Sequence, residues 1–136
     1  MEEHYLFLSS EQSKDLFPSN HPGDFTVELP HVYDLEGHWT CAVKEIQIPL
    51  RTDIAYVCTD ICVESYAENT MVPVLRTLQK ASGKSVMTYF LYESPIHVKV
   101  KEKALNRVRI FIRDSQLKPI TFNKTTRCTL QLTKWK

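Results

Sequence analysis

The run Arg107-Val108-Arg109-Ile110-Phe111-Ile112-Arg113 decides the fold class. Val108, Ile110 and Ile112 alternate with Arg107, Arg109 and Arg113, so the aliphatic side chains take one face and the guanidinium groups the other. A helix would scatter these residues around its circumference. The segment is therefore predicted as a half-buried strand, with Phe111 the one apolar residue on its charged face.

The same period recurs outward. Phe25, Val27 and Leu29 alternate with Thr26 and Glu28 as far as Pro30. Trp39, Cys41 and Val43 alternate with Thr40, Ala42 and Lys44, after which the apolar parity moves to Ile46 and Ile48; a bulge is predicted near Lys44-Glu45. Val57, Thr59, Ile61 and Val63 lie opposite Tyr56, Cys58, Asp60 and Cys62, apolar enough on both faces for a central strand. Ile96, Val98 and Val100 alternate with His97, Lys99 and Lys101, and Cys128, Leu130 and Leu132 with Thr129, Gln131 and Thr133. Residues 5–8, 72–78 and 85–92 read as strands with weaker alternation. Helical turns are expected only at 10–17, where Ser10 or Ser13 could cap, and at 101–105. Eight or nine strands predict an all-β antiparallel sandwich or barrel. With only three glycines, its loops should be longer than two-residue hairpins. No repeat, linker or low-complexity tract divides residues 1–136, which are read as one domain.

Composition narrows the function. With 43% hydrophobic and 24% charged residues the chain is expected to fold rather than stay disordered. Its 17 Lys+Arg balance 16 Asp+Glu, so no global charge draws it to nucleic acid or an anionic membrane. No apolar run reaches membrane-spanning length, and the acidic Met1-Glu2-Glu3-His4 is unlike a signal peptide, so neither a membrane partner nor secretion is expected. Cys41, Cys58, Cys62 and Cys128 each stand where an apolar residue would serve. Only Cys58 and Cys62 are close, and four positions along a strand separate them by roughly 13 Å, too far to share a metal. Buried free thiols are predicted, with no metal and no cofactor.

Catalysis finds no constellation. His21-Pro22-Gly23-Asp24 and His31-Val32-Tyr33-Asp34 place an acid three residues after a histidine, without a nucleophile in a recognisable setting, and read as surface turns; His4, His38 and His97 stand apart. Ala81-Ser82-Gly83-Lys84-Ser85 ends like a phosphate-binding loop, but Leu78 takes the place of the required glycine and a strand follows instead of a helix. A polar turn is expected there. Asn123-Lys124-Thr125 matches a glycosylation acceptor that an unexported chain would not use.

Charge is uneven locally. Lys99, Lys101, Lys103, Arg107, Arg109 and Arg113 face only Glu102 between 99 and 113. If the strands carrying them are adjacent, they form a basic patch that contacts phosphates, with Phe111 as a stacking platform. Two other readings stand beside it: a solvated face whose cations pair with acids elsewhere, or contacts with acidic groups of a neighbouring subunit. Trp135, between Lys134 and Lys136, is either a lid on the sandwich or a docking peg.

Spaced motifs give a resemblance. Phe17-Pro18-Ser19-Asn20, Phe25-Thr26-Val27-Glu28-Leu29-Pro30, Leu35-Glu36-Gly37-His38-Trp39 and Ala42-Val43-Lys44-Glu45-Ile46 follow one another. Later come Met71-Val72-Pro73-Val74-Leu75-Arg76 and Val108-Arg109-Ile110-Phe111-Ile112-Arg113-Asp114 with Pro119-Ile120-Thr121-Phe122. The series resembles the capsid-type, minor capsid or penton-like proteins of Polinton/Maverick elements and the related adintoviruses. Ser115-Gln116-Leu117 departs from the Asp-Gly type of turn common in that family, and the cysteine content is unusual for it. Gly37, Trp39, Pro73, Asp114 and Pro119 are the residues expected to shape the fold: Gly37 for a tight entry to a strand, Trp39 to anchor one end of the core. The resemblance implies a single jelly roll of about eight strands and a structural capsid protein of a double-stranded DNA virus or virus-like element. It would be made in the host cytoplasm or nucleus and found in the virion. A penton-like vertex subunit is the first expectation, self-assembling as a pentamer in preference to a trimer and contacting other capsid proteins. The alternatives are a trimeric receptor- or carbohydrate-binding spike head, using Trp39 or loop tyrosines, and a nucleic-acid-binding β module using 99–113.

Overall fold

The computed structural model describes residues 2–50, 52–80 and 87–136, so Ala81-Ser82-Gly83-Lys84-Ser85 lies outside the described residues. Eleven strands run through them: β1 (Glu2–Ser9), β2 (Asp24–Asp34), β3 (His38–Ile48), β4 (Ile54–Thr59), β5 (Ser65–Ala67), β6 (Thr70–Val72), β7 (Val74–Gln79), β8 (Thr88–Leu91), β9 (Val98–Lys99), β10 (Ala104–Asp114) and β11 (Arg127–Trp135). One sheet has the order β1-β11-β3-β8, with β9 also on β3; the other has the order β2-β10-β4-β7. Every pairing is antiparallel.

The alternation explains why these strands form. Val108, Ile110 and Ile112 of β10 are wholly buried and meet Phe25 and Val27 of β2, Val43 and Ile46 of β3 and Leu130 and Leu132 of β11 in one core fed by both sheets. Each such side chain contributes roughly 1.5–3 kcal/mol by leaving water, and the alternation that aligns them on one face is what the strand conformation preserves. The predicted bulge is present. Thr129 lies opposite Glu45 and Leu130 opposite Val43, leaving Lys44 as the extra residue that turns Ile46 back into the core. Strand β4 is interior, between β10 and β7, as its two apolar faces predict.

Other expectations are corrected. The count rises to eleven because of the β5–β6 hairpin, whose two-residue loop Glu68-Asn69 holds both residues at positive φ (48° and 65°) without a glycine. The Tyr56 hydroxyl donates to Glu68 Oε1 and the Tyr66 hydroxyl to Asn69 Oδ1, each at 2.8 Å, which ties down that turn. The strand expected to reach Val63 ends at Thr59, because the chain turns at Asp60, whose amide donates to the Arg109 carbonyl at 3.4 Å. Residues 101–105 form no helical turn: Lys101 N–H bonds Ile61 O, Lys103 O accepts from Leu35 N–H, and Leu105 belongs to β10. Residues 10–16, by contrast, are turns as expected, with Phe17 N–H bonded to Ser13 O at 2.9 Å.

The Phe17-Pro18-Ser19-Asn20 motif protects an edge. Asn20 Nδ2 donates to Thr26 O (2.8 Å) and Asn20 Oδ1 accepts from Thr26 N–H (3.0 Å), while Ser13 Oγ accepts from Glu28 N–H (2.9 Å). These side chains occupy backbone groups that an open edge strand would offer to another chain. All four cysteines are buried free thiols. Burial pushes Cys128 up to about 12, and it pushes Cys58 to the same value against the opposing pull of Arg113 and Arg109.

Two backbone positions give stability changes of opposite sign. A Cβ on Gly23 would collide with the Ile120 carbonyl oxygen, so Gly23→Ala should lower stability in a urea melt by about 1–3 kcal/mol. Leu117 holds φ 62° in the turn after β10. Leu117→Gly should therefore raise stability, by on the order of 0.5 kcal/mol, since relief of left-handed strain exceeds the added chain entropy. The thiolate is the reactive form, so a chromogenic thiol reagent at mildly alkaline pH should leave the native protein unmodified and titrate four thiols once it is unfolded.

Candidate functional site

The outer face of the four-stranded sheet carries the arginines of β10 in a ladder. The Arg109 guanidinium lies 4.3 Å from the centre of the Phe111 ring and that of Arg113 lies 4.8 Å from it, so the ring is held between two cations. Arg109 is pinned by Asp24 of β2, Nε to Oδ1 at 2.9 Å and Nη2 to Oδ2 at 2.7 Å. This two-point geometry is the strong form of the pair. Arg107 lies 3.2 Å from Glu28 and 5.3 Å from the Phe17 ring centre. Among the described residues Arg113 makes no ion pair with a carboxylate. Asp114, its neighbour, is engaged in its own turn, with Oδ1 accepting from Gln116 and Lys118 N–H.

Lys99 and Lys101 lie elsewhere. Lys99 is in β9, which pairs with β3 of the other sheet, and Lys101 follows it, bonded through its amide to Ile61 O. The two cationic rows are thus not on adjacent strands, and the condition for a merged patch is not met. Trp135 donates from Nε1 to Thr40 Oγ1 at 2.8 Å and meets the His97 ring edge-on at 5.4 Å, which places its indole on the outer face of the five-stranded sheet. Trp39 is buried, stacks on His4 at 5.5 Å and donates from Nε1 to Glu36 O at 3.1 Å; Gly37, two residues before it, has φ 101°. Pro73 O accepts from Thr59 N–H, and Pro119 bridges back to Arg113. His4 and His31 both meet the Tyr33 ring, and His97 meets Trp135, which lies opposite His38 in the ladder. Among the described residues no three His, Cys, Asp or Glu side chains converge as a metal site.

Sequence reasoning missed a second surface. On the outer face of the five-stranded sheet, Phe7, Thr129, Glu45 and Leu91 form one row across β1, β11, β3 and β8. Glu45 accepts from the Thr129 hydroxyl at 2.9 Å and from the Tyr89 hydroxyl. These bonds, Tyr89 first, hold its carboxyl below the ordinary glutamate value. Phe7 is 70% exposed, Tyr89 57% and Leu91 53%, and an open groove of about 320 Å³ runs between Phe7 and Tyr89 with Glu45 on its wall. The signal was present in the parity: Phe7 falls between inward Leu6 and Leu8, which obliges it to face out. Removing one donor should be measurable. By NMR the Glu45 carboxyl of Tyr89→Phe should titrate at higher pH than in the wild type. A lowered folded-state value supplies stability above the unfolded-state pKa and loses it as pH falls through the folded value, so the variant should show the smaller acid-induced loss from this group.

No family model matches the chain, and no curated protein matches it by sequence. Among solved structures it is similar to the mavirus penton protein, seen in a crystal structure of the selenomethionine-labelled form. The TM-score is 0.62 at 7% identity, and the match covers 97% of this chain and 99% of that one. At such an identity what the two chains share is the fold, over the whole length of both.

Proposed function

We propose that the protein is a capsid protein and, more narrowly, a penton-like vertex subunit of a double-stranded DNA virus or virus-like element of the Polinton and adintovirus kind. The observation that carries this reading is the likeness in fold to a penton protein from end to end. The strand order supports treating the sandwich as a single jelly roll: β1-β11-β3-β8 faces β2-β10-β4-β7, β9 continues the path of β8 along β3, and the β5–β6 hairpin is an insertion between β4 and β7. Such a domain works through its surfaces. One contact between unlike faces, repeated around a five-fold axis, closes a ring, and the ring's outer margins then meet other capsid proteins in the virion. Synthesis in the host cytoplasm or nucleus fits this role.

The nucleic-acid reading is weakened by the pairing of Arg109 with Asp24 and of Arg107 with Glu28, which neutralises two of the three arginines on that face, and by the placement of Lys99 on the other sheet. Light scattering coupled to gel filtration tests the proposal. A particle of about five times the 15.8 kDa chain is expected. A stable trimer would favour the spike head instead, and retention on DNA that falls steeply with salt would favour the nucleic-acid module.

A further inference from the structure

The two outer sheet faces differ in a way that makes them complementary. The five-stranded face offers a groove with one fixed carboxylate, Glu45, oriented by Tyr89 and Thr129 and flanked by the exposed Phe7 ring. A carboxylate beside aromatic walls is the chemistry that receives a guanidinium, through charge-assisted hydrogen bonds and cation–π contact together. Arg127 also lines the groove, but among the described residues it forms no ion pair with Glu45, which leaves Glu45 to answer a charge from outside. The four-stranded face offers that charge. Arg107 and Arg109 are matched by Glu28 and Asp24, and the surplus is Arg113, partly exposed and held in place over Phe111.

Resting on the self-assembly reading, we infer that the groove on the five-stranded sheet is the docking site for the four-stranded face of a second copy of this chain, with Arg113 of that copy entering between Phe7 and Tyr89 to meet Glu45. The faces are unlike, so the contact is heterologous, the type that builds closed rings and leaves each copy one free face until the ring closes. Four strands about 4.8 Å apart and about 30 Å long present on the order of 600 Å² in plan, comparable with the roughly 800 Å² each partner contributes to a stable interface. Exposed Phe7, Tyr89 and Leu91 supply the apolar part of that area, and an apolar patch of this kind on an otherwise polar face marks an interaction site.

Charge reversal tests the assignment. Glu45→Arg and Arg113→Glu each place like charges in the contact and should raise the concentration at which assembly is half complete at least tenfold, whereas the double variant Glu45→Arg/Arg113→Glu should recover assembly. Phe7→Ser alters a side chain that folding leaves mostly in water, so it should weaken assembly with the circular dichroism spectrum unchanged. It carries the test if Glu45→Arg does not fold. A wild-type chain that stays monomeric at every concentration overturns the self-assembly reading on which this rests. An oligomer indifferent to all three single changes overturns the surface assignment alone, and disassembly that the double variant does not reverse overturns the pairing of Arg113 with Glu45.

Discussion

Strand β10 is hydrogen-bonded on both sides, to β2 and to β4, and its side chains leave it one acceptable register. With Val108, Ile110 and Ile112 in the core, Arg107, Arg109, Phe111 and Arg113 must stand on the outer face. A slip of one residue would exchange the two sets, burying guanidinium groups and exposing aliphatics. The bond from Arg109 to Asp24 works in the same direction, because it spans β10 and β2 only in this register. The arginine row that looks like a binding patch is thus first a register lock. What remains for a partner is what the lock does not use, and that is Arg113.

The five-stranded sheet was assembled under a different constraint. Among the described residues its outer face has no comparable ionic ladder; Thr129, Gln131 and Thr133 of β11 occupy the middle, Trp135 stands at one end of that strand, and Phe7 and Tyr89 flank the groove from β1 and β8. The margins rise above a shorter middle, and a groove results. Glu45 lies along it because Lys44 is the bulged residue. If Lys44 took a regular place in the ladder instead of bulging, Glu45 would point into the core and Ile46 would point out. The bulge at Lys44 therefore decides both that Ile46 packs inside and that the groove has a carboxylate.

Legibility followed locality. The parity change from Val43 to Ile46 is written in consecutive residues, so the bulge could be read directly. The Glu68-Asn69 turn could not, because left-handed backbone at a glutamate is sustained by Tyr56 from β4, which is distant in sequence. Leu117 likewise sits at positive φ because the Asp114 carboxylate and the backbone bonds around Lys118 over-determine that turn. Residues 101–105 look like a short helical turn in isolation, but their backbone groups find partners at Leu35 and Ile61 across the fold. At Glu68 and at 101–105 a contact from another strand or loop overrode the local preference, whereas at Leu117 the bonds of the turn itself did so.

The sequence by itself determined the antiparallel all-β class, the inward sets of β3, β10, β11 and the first half of β2, the buried state of the four cysteines and the position of the bulge, since all of these follow from a two-residue period and the cost of exposing apolar surface. Only the tertiary structure decided which strands lie side by side. That pairing separates Lys99 and Lys101 from the arginines, matches Arg107 and Arg109 with acids some eighty residues away in sequence, and brings Phe7, Glu45 and Tyr89 onto one face. Strand adjacency is set by how two twisted sheets close over a shared core, a global minimum to which every inward side chain contributes, and no local pattern encodes it.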